Sequence, residues 1–211
     1  TSFWRMNDNV PLVVPEVNEQ ALYEHNGIIA NPNCSTIQMV VALEPIRQQF
    51  GLKQVIVSTY QAASGAGQSA WQELLDQAQQ HLNGEPETAK ILPVKGDKKH
   101  YPLAFNLLPQ IDVFEDEGYT HEEYKMIHET KKIMLGDKNA KDIKVTATAV
   151  RVPVPVGHGE TVYFEVADAD GASTPKIQQA LSEAPGVVME DDPANQIYPQ
   201  PINAEGKRDT F

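Results

Sequence analysis

The sequence predicts an α+β domain. Three observations carry that prediction. Apolar residues recur at three- and four-residue intervals after Cys34, alternation runs over Leu52–Tyr60 and again over Lys144–Val156, and Thr120-His121-Glu122-Glu123 forms a helix-initiating capping box. No GxGxxG follows a strand, so a complete dinucleotide-binding fingerprint is absent from these residues.

Taken in order, Thr1–Asn18 holds Pro11, Pro15 and an apolar Leu12-Val13-Val14 patch without a start signal, and reads as a segment of something larger. Glu19–His25 reads as a short helix, and Gly27-Ile28-Ile29-Ala30 has strand character. Asn31-Pro32-Asn33-Cys34-Ser35-Thr36 then turns into a helix whose buried stripe is Ile37, Met39, Val40, Val41, Leu43, Ile46 and Phe50, ending at Gly51. Cys34 therefore lies in a first helical turn, where unpaired N–H groups favour an anion, and a depressed thiol pKa is expected.

Leu52–Tyr60 is a strand with Val55, Val57 and Thr59 on its inner face; Gln61 and the small-residue loop Ala62-Ala63-Ser64-Gly65-Ala66-Gly67 follow. Gln68–Leu82 is an amphipathic helix presenting Trp71, Leu74, Leu75 and Ala78. Asn83–Asp116, broken by Pro93, Pro102 and Pro109, predicts irregular structure with one or two short strands. The capped helix runs to about Leu135 and stops at Gly136; on it Glu122 and Lys125, three apart, share a face.

In the strand Lys144–Val156, Arg151 stands on the face of Val145, Ala147 and Ala149, where a guanidinium needs an anionic partner from protein or ligand. Gly157-His158-Gly159 presents an imidazole on a turn. Glu160–Ala167 is a further strand, antiparallel to the last. Thr174-Pro175 caps a helix through Leu181, closed by Gly186, and from Glu190 the chain is rich in Pro, Asn and Asp.

With 211 residues, 41% of them hydrophobic and 22% charged, the composition is that of a soluble globular domain. A single cysteine excludes an intrachain disulfide framework and a Cys-rich zinc site, which fits a reducing, cytoplasmic compartment. A net charge of −12 with no basic cluster argues against nucleic acid or an anionic membrane as partner. No apolar run is long enough to span a bilayer.

Spacing alone leaves covalent catalysis by Cys34 and His158 as one candidate. The motifs around it add more. Asn31-Pro32-Asn33-Cys34-Ser35-Thr36, Tyr60-Gln61-Ala62-Ala63-Ser64-Gly65-Ala66-Gly67, Glu122-Glu123-Tyr124-Lys125, Glu129-Thr130-Lys131-Lys132-Ile133 and Arg151-Val152-Pro153-Val154 with His158 together resemble aspartate-semialdehyde dehydrogenase, in the right order and over essentially the whole chain. The resemblance implies a catalytic domain like the C-terminal one of glyceraldehyde-phosphate dehydrogenase, with a mixed, mainly antiparallel sheet and helices on one face. It also implies three segments: 1–33 leading from a nucleotide-binding domain, 34–190 forming the catalytic and dimerisation domain, and 191–211 returning toward the nucleotide-binding domain.

By the same resemblance Cys34 is the nucleophile, His158 the acid–base residue, and Gln61 the glutamine holding nucleophile and substrate in register. Arg151 grips the substrate α-carboxylate, Glu122 faces its amino group, and Lys125 and Arg5 bind phosphate. Ser64, Gly65 and Gly67 approach the nicotinamide end of NADP, whose main binding domain lies outside these residues. The implied protein is a homodimer of amino-acid biosynthesis, leading to lysine, threonine, methionine and isoleucine. Its reaction converts β-aspartyl phosphate to aspartate semialdehyde. The family often has serine where this chain has Gly159. A cysteine–histidine hydrolase and an inactive dimerisation fragment are the alternatives.

Overall fold

The computed structural model describes residues 2–211. The elements run α1 (Pro15–Asn18), α2 (Cys34–Phe50), β1 (Gln54–Gln61), α3 (Gln68–Leu82), α4 (His121–Leu135), β2 (Lys144–Arg151), β3 (Gly159–Glu165), α5 (Thr174–Ser182) and α6 (Pro201–Ala204). A 3₁₀ stretch, Glu19–Glu24, stands where a short helix was expected.

The strands form one sheet in the order β2-β1-β3. β1 lies parallel to β2, with Gln61 opposite Arg151, and antiparallel to β3, with Tyr60 opposite Gly159. β3 does run opposite to β2, as expected, but it flanks β1 and does not form a hairpin with β2. The intervening prolines explain this. Pro153 and Pro155 have no N–H for a ladder, so residues 152–155 instead cross the end of β1: Val152 N–H donates to Gln61 O, and Ala63 and Ser64 N–H donate to Val154 O and Pro155 O.

One sheet face packs on α2 and α4, which bury Val40, Leu43, Ile46, Phe50, Met126 and Ile133 against Val55, Val57 and Ala147. On the opposite face Ile56, Tyr60 and Tyr163 are exposed. A second cluster sits under α3, where Ala70 and Leu74 meet Leu92, Leu103, Ala104 and Leu108. Trp71 and Leu75, expected on the inner stripe of α3, are instead on its exposed side. Gln77 takes an inner position, its side chain accepting from Leu103 and Ala104 N–H.

The expected short strands between Asn83 and Asp116 reduce to isolated bridges at Leu108 and Phe114. Leu108 both donates to and accepts from the Arg151 backbone, which pins the end of β2. The capping box forms as predicted: Thr120 Oγ1 accepts from Glu123 N–H and Glu123 reaches back to Thr120 N–H. The second carboxylate oxygen of Glu123 accepts from Ala149 N–H at 2.9 Å, tying the start of α4 to β2. At α5 the cap is Ser173, with no side-chain bond, so Thr174 lies inside the helix, which ends at Ser182 before reaching Gly186.

Candidate active site

The site grows from the N-terminus of α2. Asn33 holds extended backbone dihedrals and its side-chain oxygen accepts from Ser35 and Thr36 N–H at 3.0 and 3.2 Å, satisfying two of the helix's orphan donors. That cap fixes Cys34 as the first helical residue, exposed as a residue while its thiol is largely desolvated by its surroundings. Two buried glutamates of α4, one above the other, hold Asn33 in turn. Glu129 accepts its backbone N–H at 2.6 Å and Glu122 accepts its side-chain amide at 2.8 Å.

Across the sheet end, His158 Nε2 lies 3.3 Å from Cys34 Sγ, and Nδ1 accepts from Ala62 N–H at 3.0 Å. Arg151, 5% exposed, donates from Nη1 to Ala62 O at 2.9 Å. Among the described residues it forms no ion pair. Gly65, in the loop that also holds Ser64 and Gly67, lies against these groups. A Cβ at Gly65 would fall 2.8 Å from Arg151 Nη1 and 3.2 Å from the His158 ring, so only glycine fits that close approach.

Glu122, Lys125 and Glu129 line one stripe of α4. Lys125 Nζ meets Glu122 at 2.8 Å and Asp112 at 3.5 Å. Arg5 reaches Glu129 at 3.4 Å. Gln61, fully buried, donates to Glu122 at 3.1 Å and to Thr59, and it contacts the nucleophile only through that carboxylate and Asn33.

The electrostatics follow from burial and these pairs. Burial pushes the Glu122 carboxyl up, but Lys125, Asn33 and Gln61 outweigh it and hold it below the ordinary value. Burial raises Glu129, only partly countered by Asn33 N–H and by Arg5 and Lys125. Burial and the Arg151 charge push His158 down to about 4. The expected depressed thiol pKa is overturned. Burial and the Glu122 carboxylate raise Cys34, outweighing the backbone N–H groups of the helix start and Arg151.

Residues 43–211 match the family described as semialdehyde dehydrogenase, dimerisation domain. The chain belongs to that family.

Similar proteins agree with it. The chain is 61% identical, over all of its length, to the aspartate-semialdehyde dehydrogenase of Bacillus subtilis (strain 168), of which it spans 60%. The crystal structure of aspartate semialdehyde dehydrogenase II from Vibrio cholerae superposes with a TM-score of 0.84 at 40% identity, covering the whole chain and 58% of that protein; a second structure of it is complexed with ASA. A more distant Candida albicans enzyme, solved with NADP, shares the fold at 24% identity and a TM-score of 0.61, with 87% of this chain and 47% of that one covered. The chain thus spans about three-fifths of the curated relatives' length.

In this semialdehyde dehydrogenase domain the contacts above bring Cys34, His158, Gln61, Arg151, Glu122, Lys125, Arg5 and Gly65 together at the end of the sheet where α2 and α4 start, Arg5 and Lys125 being linked through Glu129, Asn33 and Glu122; Ser64 and Gly67 only flank Gly65 in the loop. Sequence analysis assigned no task to Asn33, Glu129 or Ala62. The first had a signal, since an asparagine directly before an apolar-periodic run is a preferred cap. Glu129 had one too, seven residues from Glu122 and hence on the same helical face. The Ala62 amide had none, because a backbone donor leaves no trace in residue type.

Two outcomes are expected here. Asn33→Ala removes the cap and leaves Glu122 short of a donor, and should lower unfolding stability by about 1–3 kcal/mol; an unchanged urea midpoint would contradict the hub role of Asn33. Glu122→Gln removes the negative charge that helps raise Cys34, so the thiol pKa should fall and iodoacetamide alkylation at neutral pH should accelerate. A slower or unchanged rate would show that Glu122 does not govern the thiol.

Proposed function

We propose that the chain is the catalytic and dimerisation part of a phosphorylating, NADP-dependent aspartate-semialdehyde dehydrogenase, working as a homodimer in the cytoplasm on the route to lysine, threonine, methionine and isoleucine. In this scheme residues 34–190 form the catalytic and dimerisation domain, while 1–33 and 191–211 lead to and from a nucleotide-binding domain. The observation that carries it is the pairing of Cys34 Sγ with His158 Nε2 at 3.3 Å beside a buried Arg151 that has no carboxylate partner among the described residues. A buried guanidinium whose only hydrogen bond among the described residues goes to a carbonyl is suited to a planar ligand carboxylate.

In the biosynthetic direction Cys34 attacks the acyl carbon of β-aspartyl phosphate, with His158 at the sulfur and the forming intermediate. Arg151 holds the α-carboxylate, Glu122 the amino group through its charge, and Gln61 keeps Glu122 and Asn33 in place. Arg5 and Lys125 receive the phosphate; Arg5 Nε is buried without a hydrogen-bond partner among the described residues, a donor suited to an anionic oxygen. Ser64, Gly65 and Gly67 fit the nicotinamide end of NADP, because Gly65 backbone sits where a Cβ would strike Arg151 and His158. When bound, that cofactor supplies the hydride.

The test is oxidation of aspartate semialdehyde by the full-length protein containing this chain. Activity should require both phosphate and NADP. Turnover that needs neither would favour a cysteine–histidine hydrolase, and the 211-residue chain alone should turn over negligibly.

A further inference from the structure

We infer that Lys132 is a positioning residue of the phosphate site: its ammonium gathers three backbone carbonyls of the turn that carries Arg5, and so sets where that guanidinium stands. This deepens the phosphate-binding role proposed for Arg5 and rests on it.

Residues 2–10 have little regular structure of their own to hold Arg5. A short 3₁₀ turn, Ser2–Trp4, opens the segment, and only turn bonds follow: Arg5 N–H donates to Ser2 O, Asn7 N–H to Trp4 O and Val10 N–H to Asn7 O. Carbonyls that such a segment turns inward need donors from elsewhere. Lys132 supplies them. Its Nζ donates to Arg5 O at 2.9 Å, to Asn7 O at 2.7 Å and to Val10 O at 2.9 Å. An ammonium has three N–H groups, and the three carbonyls take all of them. Among the described residues Lys132 forms no ion pair, so its task is to hold backbone and not to neutralise a carboxylate.

Its place on α4 turns that anchor into a mount for Arg5. Glu122, Lys125, Glu129 and Lys132 follow one another at helical spacing along one stripe. Glu129 meets Arg5 Nη1 at 3.4 Å while accepting Asn33 N–H, and Lys132, on the next turn, takes the Arg5 carbonyl. Arg5 is thus gripped by side chain and by backbone from the helix that also carries Lys125, so one rigid element sets the spacing of the two phosphate cations. Lys138 makes a looser contact at the rim, where Nζ donates to Met6 O and to an Asp8 carboxylate that is 79% exposed.

Two cations receive a phosphate well only when both are placed in advance, and a shift of about 1 Å can cost on the order of 100-fold. Arginine could not replace Lys132. Its planar fork spreads its N–H groups over three nitrogens, whereas these carbonyls converge on a single one.

The full-length protein, oxidising aspartate semialdehyde with NADP while phosphate is varied, reads the site. Lys132→Met keeps the stem and removes the ammonium. The initial slope of rate against phosphate should fall on the order of 10- to 100-fold, while KM for aspartate semialdehyde stays within about twofold. Lys138→Met should keep the slope within about twofold of the wild type. An unchanged slope with Lys132→Met, an equal rise in both KM values, or an equal loss with Lys138→Met overturns the inference. In an Arg5→Ala background Lys132→Met should lower the slope no further, as expected of a residue that acts through Arg5; a full additional loss overturns it too. If Lys132→Met does not fold, Lys132→Arg keeps the charge and should still lose phosphate dependence, and a wild-type slope would count against the anchor. Acetylation of the wild type, read by mass spectrometry, needs no variant: Lys132 should escape labelling under conditions that saturate the exposed Lys98, and equal labelling overturns the inference. Arg5→Ala with a normal phosphate slope would sink the phosphate role of Arg5, whereas an impaired Arg5→Ala beside a normal Lys132→Met sinks the role of Lys132 alone.

Discussion

Cys34→Ser, made in the full-length protein, is expected to abolish acyl-enzyme formation and to lower turnover by on the order of 10⁴-fold or more. The sulfur is the one soft nucleophile in the chain, and it stands at the exposed start of α2 within reach of the imidazole. A serine hydroxyl is far less acidic than a thiol, and it is the poorer nucleophile toward an acyl carbon and the poorer leaving group from it. The substitution should spare the fold, because Cys34 is exposed and the cap belongs to Asn33. Mass spectrometry after mixing with β-aspartyl phosphate, alongside steady-state rates and a melt, checks each part. A serine variant that retains a few per cent of turnover would remove Cys34 from the chemistry. Alkylation of the wild-type thiol against pH should also report a pKa above the ordinary cysteine value, since burial and Glu122 both disfavour the thiolate.

Arg151→Lys is expected to lower kcat/KM by about 2–4 kcal/mol, roughly 30- to 1,000-fold, with little change in melting temperature. The guanidinium is buried against Ala62 O and forms no other hydrogen bond among the described residues. A planar fork holds a carboxylate through two parallel bonds; an ammonium on a flexible stem offers a point charge and cannot reproduce both. Glu122 lies near enough for its charge to act on Arg151, yet it spends its oxygens on Asn33, Gln61 and Lys125. The competing structural role, an arginine paired to a buried protein carboxylate, predicts the reverse pattern. A large drop in melting temperature with kcat/KM unchanged would establish that role instead.

Much of this was determined by the sequence alone, because the signals are local. The caps of α2 and α4, the stop at Gly51 and Gly136, and the alternation of β1 and β2 follow from backbone satisfaction and side-chain periodicity within a few residues. The oddity of Arg151 was visible for the same reason, since a strand's inner face is set by parity.

Tertiary structure decided what depends on partners far apart in the chain. β3 pairs with β1 across about a hundred residues because the prolines after β2 deny it a ladder. The thiol pKa rises although its helix position argues for a fall, because the folded chain desolvates the sulfur and sets Glu122, 88 positions away, near it, neither of which a local pattern encodes. The imidazole's orientation rests on one backbone N–H, which every residue except proline possesses, and only the folded chain sets that amide against Nδ1.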